Sequence, residues 1–267
     1  NPDSHAVFSR GFADWLLPLG ALRDLYPLVV FPVHLAPLGG VVIAEVCREN
    51  TGVSTGEFPL LYLDEHLAVV AKPAGITVVF DRHRPGEGCL WEKVWKLLGP
   101  VFVVHRLDRD TSGVLLFARD RETQRVLSEG FAQGKVEKVY HAVVAPPPAW
   151  QATVVTTPLR EDGDRRHRTV VDWEGGKSAE TQLRLLRQLG RLALVEARPK
   201  TGRRHQIRAH LAALGCPVVG DALYGGKPLA PRPLLHARGL ALRHPATGTW
   251  LAVEAPYPPD MAFLEKL

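Results

Sequence analysis

His105, Arg106, Asp108, Arg109, Asp110, Thr111 and Ser112 crowd into eight consecutive positions between the apolar runs VFVV and VLLFA. Runs of that kind form buried strands, so the charged stretch must be a turn held at the edge of a core. A carboxylate kept ionised in such a place is a competent nucleophile. Two other chemistries compete for the same residues. Asp108 and Asp110 alternate along an extended segment and so point to opposite faces, without a third carboxylate nearby, which fits a metal poorly. Ser112 with His105 lacks the Gly-x-Ser-x-Gly elbow of a hydrolase, and DTSG reads as a turn.

The densest cationic stretch is KTGRRHQIRAH, which holds Lys200, Arg203, Arg204, His205, Arg208 and His210. A helix starting near Gly202 would set Arg203 and Arg204 at its positive end. That placement is unfavourable unless an anion compensates, and the free N–H groups there suit a phosphate. Arg208, beside Ile207 and before an apolar turn, is expected to be partly buried. A buried guanidinium needs a carboxylate, and Asp108 is the candidate partner. Such an arginine would keep Asp108 charged and aim its oxygens. Tyr140, in the strand-like KVYHAVV, offers an aromatic face for an unpaired base.

Short strands and turns must position these groups. FPLLYLDEHLAVVAKPAG reads as two strands around Asp64 and Glu65, closed by a KPAG turn. CLWEKVWKLLG has an apolar side of Leu90, Trp91, Val94, Trp95 and Leu98, the spacing of a short helix. Asp120 is placed to cap the helix RETQRVLSEGFAQ, which Gly134 ends. ETQLRLLRQLGRLALVEARP folds back near Gly190, and RRHQIRAHLAALG is helical up to Gly215. Residues 160–178 form a polar, exposed hairpin or loop. Residues 1–58 are interrupted by Pro18, Pro27, Pro32 and Pro37, and an irregular N-terminal extension is expected there, followed by one domain over 59–267. Many strands with few helices predict an α+β, largely antiparallel class.

Composition narrows the partner. The 267 residues are 46% hydrophobic and 23% charged, which excludes a mainly disordered chain. A net charge of +5 favours an anionic partner, and arginine, which outnumbers lysine, grips phosphate and stacks on bases. Cys47, Cys89 and Cys216 are scattered and odd in number, as in a reducing, intracellular setting. No apolar run reaches the roughly 18 residues of a membrane helix.

HRLDRDTSGVLLFA resembles the signature of the RluA-type pseudouridine synthase family, and other stretches agree in order. LYLDEHLAVVAKPAG is similar to the family's opening strands, KVYHAVV to its tyrosine motif, and LLHARGLALRHPATG to its closing strands. RPKTGRRHQIRAHLAALGCPVVGDALYGG resembles its arginine motif and the Gly-Asp-x-x-Tyr-Gly segment after it. The resemblance spans roughly residues 60–258. It implies the pseudouridine synthase fold, a long mixed, mostly antiparallel sheet flanked by helices and loops, with an RNA cleft across the sheet. It implies that Asp108 is the carboxylate that acts on the target uridine and that Arg208 pairs with it. Tyr140 would pack on the flipped base, and Arg106 would fill the gap the base leaves. Arg109, Lys200, Arg203, Arg204, His205 and Gln206 are expected to line the RNA approach. The implied reaction breaks the N-glycosidic bond, turns the uracil and joins carbon 5 to the sugar, an isomerisation without metal or cofactor. The expected enzyme is a cytoplasmic monomer acting on rRNA or tRNA.

The chain departs from the family in two places. Residues 1–58 lack the pattern of the small appended RNA-binding domain of many relatives, and Arg204 stands where a small hydroxyl residue or lysine is common. A non-catalytic RNA-binding protein is the rival reading, but it would gain nothing from a carboxylate facing phosphates. A metal-dependent nuclease is the third.

Overall fold

The computed structural model describes residues 41–44, 57–82, 84 and 86–266. The irregular extension expected over residues 1–58 therefore lies outside the described residues, apart from 41–44 and 57–58. In chain order the first strands are β1 (Val41–Ala44), β2 (Leu60–Leu63), β3 (Leu67–Lys72), β4 (Phe102–Val103) and β5 (Ser112–Ala118). Then come β6 (Glu137–Val144), β7 (Ala152–Val155), β8 (Leu159–Arg160), β9 (Val170–Val171), β10 (Thr181–Leu189) and β11 (Leu192–Pro199). The last are β12 (Leu235–Arg243) and β13 (Trp250–Glu254). Helices α1 (Leu90–Leu98), α2 (Arg121–Ala132) and α3 (Gln206–Ala213) lie between them, and a 3-10 helix, Pro259–Lys266, closes the chain.

An eleven-stranded sheet runs β2-β3-β5-β12-β6-β11-β10-β7, with β13 and β1 continuing from β12 and β4 from β5. Its pairings are antiparallel except β5 with β12 and β1 with β13. β1 comes from the stretch expected to be irregular. β3 and β5 are covered on both faces, which explains their unbroken apolar runs: every residue of the two strands is buried. One face packs under α1 and α3, through Leu90 and Val94 and through Ile207 and Leu211. The opposite face takes Leu127 of α2, and Met261 and Leu264 of the 3-10 helix.

Local signals held where one interaction decides them. Asp120 caps α2 by accepting from the Thr123 N–H at 2.8 Å, and β10 and β11 fold back at Gly190. Trp95 departs from expectation. It is 38% exposed, while Leu90 and Val94 alone of the α1 side are fully inside.

β12 is the fork of the sheet. Its first residues lie between β5 and β6, and after a bulge between Ala237 and Gly239 its later ones pair with β13. At that fork Gly113 has φ +118, and a Cβ there would meet the Ala237 carbonyl oxygen at 2.1 Å. Only glycine lets β5 and β12 approach so closely. The charged stretch read in the sequence ends against this contact.

Candidate active site

Asp108 lies on the loop between β4 and β5, and two basic side chains, the buried Lys72 and the half-buried Arg232, hold that loop by its carbonyls. Lys72, at the end of β3, donates from Nζ to the Arg109 and Pro73 carbonyls, each at 2.8 Å. Arg232 donates from Nη1 to the Asp110 carbonyl at 2.9 Å and is itself clamped on Asp260 at 2.6 and 2.7 Å. Burial pulls the Lys72 ammonium down to about 7, against the opposing attraction of Asp110 and Asp108. The Gly75 N–H adds a 2.9 Å bond to the Arg109 carbonyl, and the Thr111 N–H closes the turn on the Asp108 carbonyl at 3.1 Å. The KPAG segment is thus a turn that also braces the loop, a role its sequence alone does not announce.

Arg208 reaches this loop from α3, a hundred residues away, and donates from Nη1 to Asp108 Oδ2 at 3.3 Å. Its stronger partner is one that sequence reasoning missed. Nε and Nη2 fork onto Asp221 at 2.6 and 2.9 Å, and Asp221 is fully buried. Burial alone would lower the guanidinium's pKa, but the hydrogen bonds and charge of Asp221, with Asp108 and Tyr224 behind it, raise it. Arg208 therefore stays charged while Asp221 neutralises most of it. Asp221 belongs to the Gly-Asp-x-x-Tyr-Gly segment. A Cβ on Gly220 would stand 1.9 Å from the Arg232 carbonyl oxygen, and φ there is +79. A buried arginine signals that some carboxylate must exist, but not which of several.

His205 and Tyr224 complete the wall. His205 adopts a left-handed conformation (φ 52) immediately before α3. Its Nε2 stands 3.8 Å from Asp108 Oδ2 and its Nδ1 lies 3.1 Å from the Tyr224 hydroxyl. Burial, ahead of the nearby arginines, lowers the imidazole's pKa despite the counter-pull of Asp108. The same Tyr224 hydroxyl accepts from the Thr169 N–H at 2.9 Å and donates to the Thr169 carbonyl at 3.2 Å. The Tyr224 ring also lies under the Arg208 guanidinium, 5.1 Å from its centroid.

Tyr140 forms the floor. It projects from β6 to the face shared with Ala197, where it packs on both the α1 and α3 sides of the core. Burial first, then the negative charge of Asp108, raises its pKa above that of an ordinary phenol. Asp108 itself remains 30% exposed at its side chain, and Oδ1 makes no hydrogen bond among the described residues.

The expected RNA contacts divide into three kinds. Arg106 is exposed with no hydrogen bond or ion pair among the described residues, and Lys200 is exposed. Arg203, half-buried, and Arg204, exposed, are both anchored, Arg203 on the Ser178 carbonyl at 3.0 Å and Arg204 on Asp162 at 2.7 Å. Arg109 ties loops together, from Nε to the Gly75 carbonyl at 2.8 Å and from Nη2 to Glu87 at 3.2 Å. Gln206 corrects expectation: it is buried, and its amide is saturated from within. Its oxygen accepts from the Thr201 hydroxyl and from the Arg203 N–H, and its nitrogen donates to the Glu180 carbonyl and to the Thr181 hydroxyl. Those bonds also explain why α3 begins at Gln206 and not near Gly202.

The hydrolase pairing of Ser112 with His105 loses its geometry. His105 Nε2 accepts from the Leu116 N–H at 3.0 Å and its ring stacks on Phe131, while burial lowers its pKa to about 3. Ser112 bonds His236 at 2.9 Å, deep in the sheet. Among the described residues no three His, Cys, Asp or Glu side chains gather as a metal set.

A family profile described as RNA pseudouridylate synthase matches residues 66–213. An uncharacterized RNA pseudouridine synthase of Bacillus subtilis is 34% identical over 77% of this chain and 70% of its own length. The dual-specificity RNA pseudouridine synthase RluA of Escherichia coli is 35% identical over 74% of this chain and 92% of its own. Among solved structures, the human RNA pseudouridylate synthase domain containing 4 is similar with a TM-score of 0.62 and 30% identity. It covers 75% of this chain and 89% of that one. The human domain containing 1 has a TM-score of 0.66 at 23% identity, over 78% of this chain and 87% of that one, a likeness of fold.

Proposed function

Because the chain belongs to the RluA-type RNA pseudouridine synthase family, we propose that Asp108 is its catalytic carboxylate and that its substrate is a uridine in structured rRNA or tRNA. The observation that supports this most is the environment of Asp108. One oxygen is aimed by Arg208 at 3.3 Å, the other is uncommitted, and Tyr140 and His205 wall the space around them. A uridine lifted from its stack would lie on the Tyr140 ring with its glycosidic bond toward the open oxygen. The bond from the sugar to N1 breaks and one from the sugar to carbon 5 forms. The carbon 5 proton leaves to water, and N1 gains a proton. Electrons balance within the nucleotide, so the proposed reaction draws on neither metal nor cofactor.

Arg208 and Tyr140 are positioning and stacking partners in this reading. Arg106, exposed two residues before Asp108, occupies the stack in place of the uridine. Lys200, Arg203 and Arg204 supply the basic approach, and His205 meets the nucleotide from the wall beside Asp108. Gln206 is removed from that set and given an internal bracing role. The catalytic domain is assigned to 59–267, with 1–58 an extension that lends β1 to the sheet. No helix among the described residues is long and apolar enough to cross a membrane. A cytoplasmic monomer is the state assigned to the enzyme.

The test is release of tritium from RNA labelled at uracil carbon 5, without added metal. Asp108→Ala should reduce release on the order of 10⁴-fold or more while the protein stays folded. RNA bound equally by both proteins, with no release from either, would leave the non-catalytic binding protein as the correct reading. Loss of release on chelation would favour the metal-dependent alternative.

A further inference from the structure

Three aromatic rings, one on the segment leading into α1 and two on α1 itself, remain outside every role assigned so far. Phe80 is 57% exposed and Trp95 is 38% exposed, with Trp91 between them. Phe80 meets Trp91 at 6.2 Å and 75°, and Trp91 meets Trp95 at 5.2 Å and 60°, so all contacts are edge to face. Trp91 is the fixed member: its Nε1 donates to the Val101 carbonyl at 2.9 Å, and its ring packs on the core that also holds Leu107 and Tyr140. The two outer rings have no such burial. Large exposed aromatics held by a rigid neighbour mark a contact surface.

The position of this surface argues for what covers it. Its segment leaves the KPAG turn and returns into α1 through the Leu90 N–H to the Thr77 carbonyl and the Trp91 N–H to the Val78 carbonyl, at 2.9 and 3.0 Å. The same segment is latched to the loop of Asp108. Gly75 and Arg109 exchange bonds of 2.9 and 2.8 Å, and Arg109 pairs with Glu87 at 3.2 Å. The rings are thus carried on a frame continuous with the proposed catalytic loop. The charges around them nearly cancel, since Arg84 faces Glu87, Lys96 faces Glu92 and Lys93 faces Glu57. A surface of this kind holds bases by stacking and not phosphates by charge.

We propose that Phe80 and Trp95, braced by Trp91, form a stacking platform for an unpaired base beside the target uridine. The proposal rests on the reading of Asp108 as the catalytic group, which places RNA along this frame. Flipping one nucleotide strips its neighbours of a stacking partner, and exposed rings replace that partner.

The test uses the full chain and two labelled probes, an oligouridylate and the same backbone with abasic sugars. Phe80→Leu with Trp95→Leu keeps apolar bulk but removes both rings. The double variant should bind oligouridylate at least about tenfold more weakly. It should bind the abasic probe as the wild type does, and the loss should be the same at low and high salt, because no phosphate contact is removed. Trp95→Leu alone should lose an intermediate amount, which guards against misfolding of the double variant. Equal affinity of wild type and variants for oligouridylate overturns the proposal, as does an equal loss toward the abasic probe. A wild type that self-associates in sedimentation while the double variant does not also overturns it, giving the face to a second copy of the chain. Tritium release from carbon 5 separates the two readings. Release with silent rings sinks only the platform, whereas ring-dependent binding without release sinks only the catalytic assignment.

Discussion

Two carboxylates, Asp108 and Glu196, both meet arginine, yet on opposite faces of the sheet they are built for opposite ends. Glu196, on β11, faces away from Tyr140 and α3. It takes Arg198 at 2.9 and 3.3 Å and Arg184 at 3.4 Å, with its side chain 9% exposed. Burial would raise its pKa, but the hydrogen bonds and charges of Arg198 and then Arg184 hold it below the usual carboxylate value. Among the described residues Asp108 receives one hydrogen bond from arginine, at 3.3 Å, and that arginine is already forked onto Asp221. A carboxylate saturated by its own protein is a clamp. One whose arginine is neutralised by a second carboxylate is aimed yet available, as the role proposed for Asp108 requires.

The contrast breaks most visibly at Asp221. Asp221→Asn leaves the Arg208 charge buried without its main partner and should cost about 3 kcal/mol in denaturant unfolding. Tritium release should fall as well, because Arg208 would turn fully onto Asp108 and take up its open oxygen. Unchanged stability would mean that Asp221 is not the countercharge argued here.

A smaller effect is expected on the other face. Glu196→Gln should cost about 1 kcal/mol, since Arg184 and Arg198 both reach water once released. Turnover in that variant should match the wild type. A large drop in tritium release would show that the two faces are coupled.

A third test, read as a pH dependence, sharpens how the Asp108 loop is held. Lys72 is lowered from its ordinary 10.5 to about 7 in the folded protein. Between those values the unfolded chain binds a proton that the folded one has released, so this group makes stability rise with pH across that window. A neutral amine still donates to the Arg109 and Pro73 carbonyls, so the loop keeps its brace. Lys72→Met should flatten that rise relative to the wild type, measured by denaturant unfolding from about pH 7 to about pH 10. Parallel curves for the two proteins would contradict the assigned shift.

Much of the architecture could be read from residue order because each feature depends on a few neighbours. Asp120 caps α2 through a residue three positions on, and the β10–β11 turn needs only Gly190 in a positive φ. The start of α3 could not be read this way. His205 takes a left-handed conformation, and Gln206 is locked by Thr181 and Glu180 on β10 and its approach, contacts no local pattern encodes. Trp95 misled for a related reason. Helical spacing places it near the apolar side of α1, but in the fold only Leu90 and Val94 are buried and Trp95 rests edge to face on Trp91 at the surface.

The sequence by itself determined the order of motifs, the class of fold, and the crowding of charge around Asp108, because spacing along the chain and turn chemistry are local properties. Tertiary structure alone decided which carboxylate Arg208 grips, that Lys72 and Arg232 hold the loop by its carbonyls, and that Gln206 faces inward. Those outcomes turn on burial. A buried charge must be matched by whichever partner the fold brings within reach, and that partner can lie thirteen residues away or a hundred.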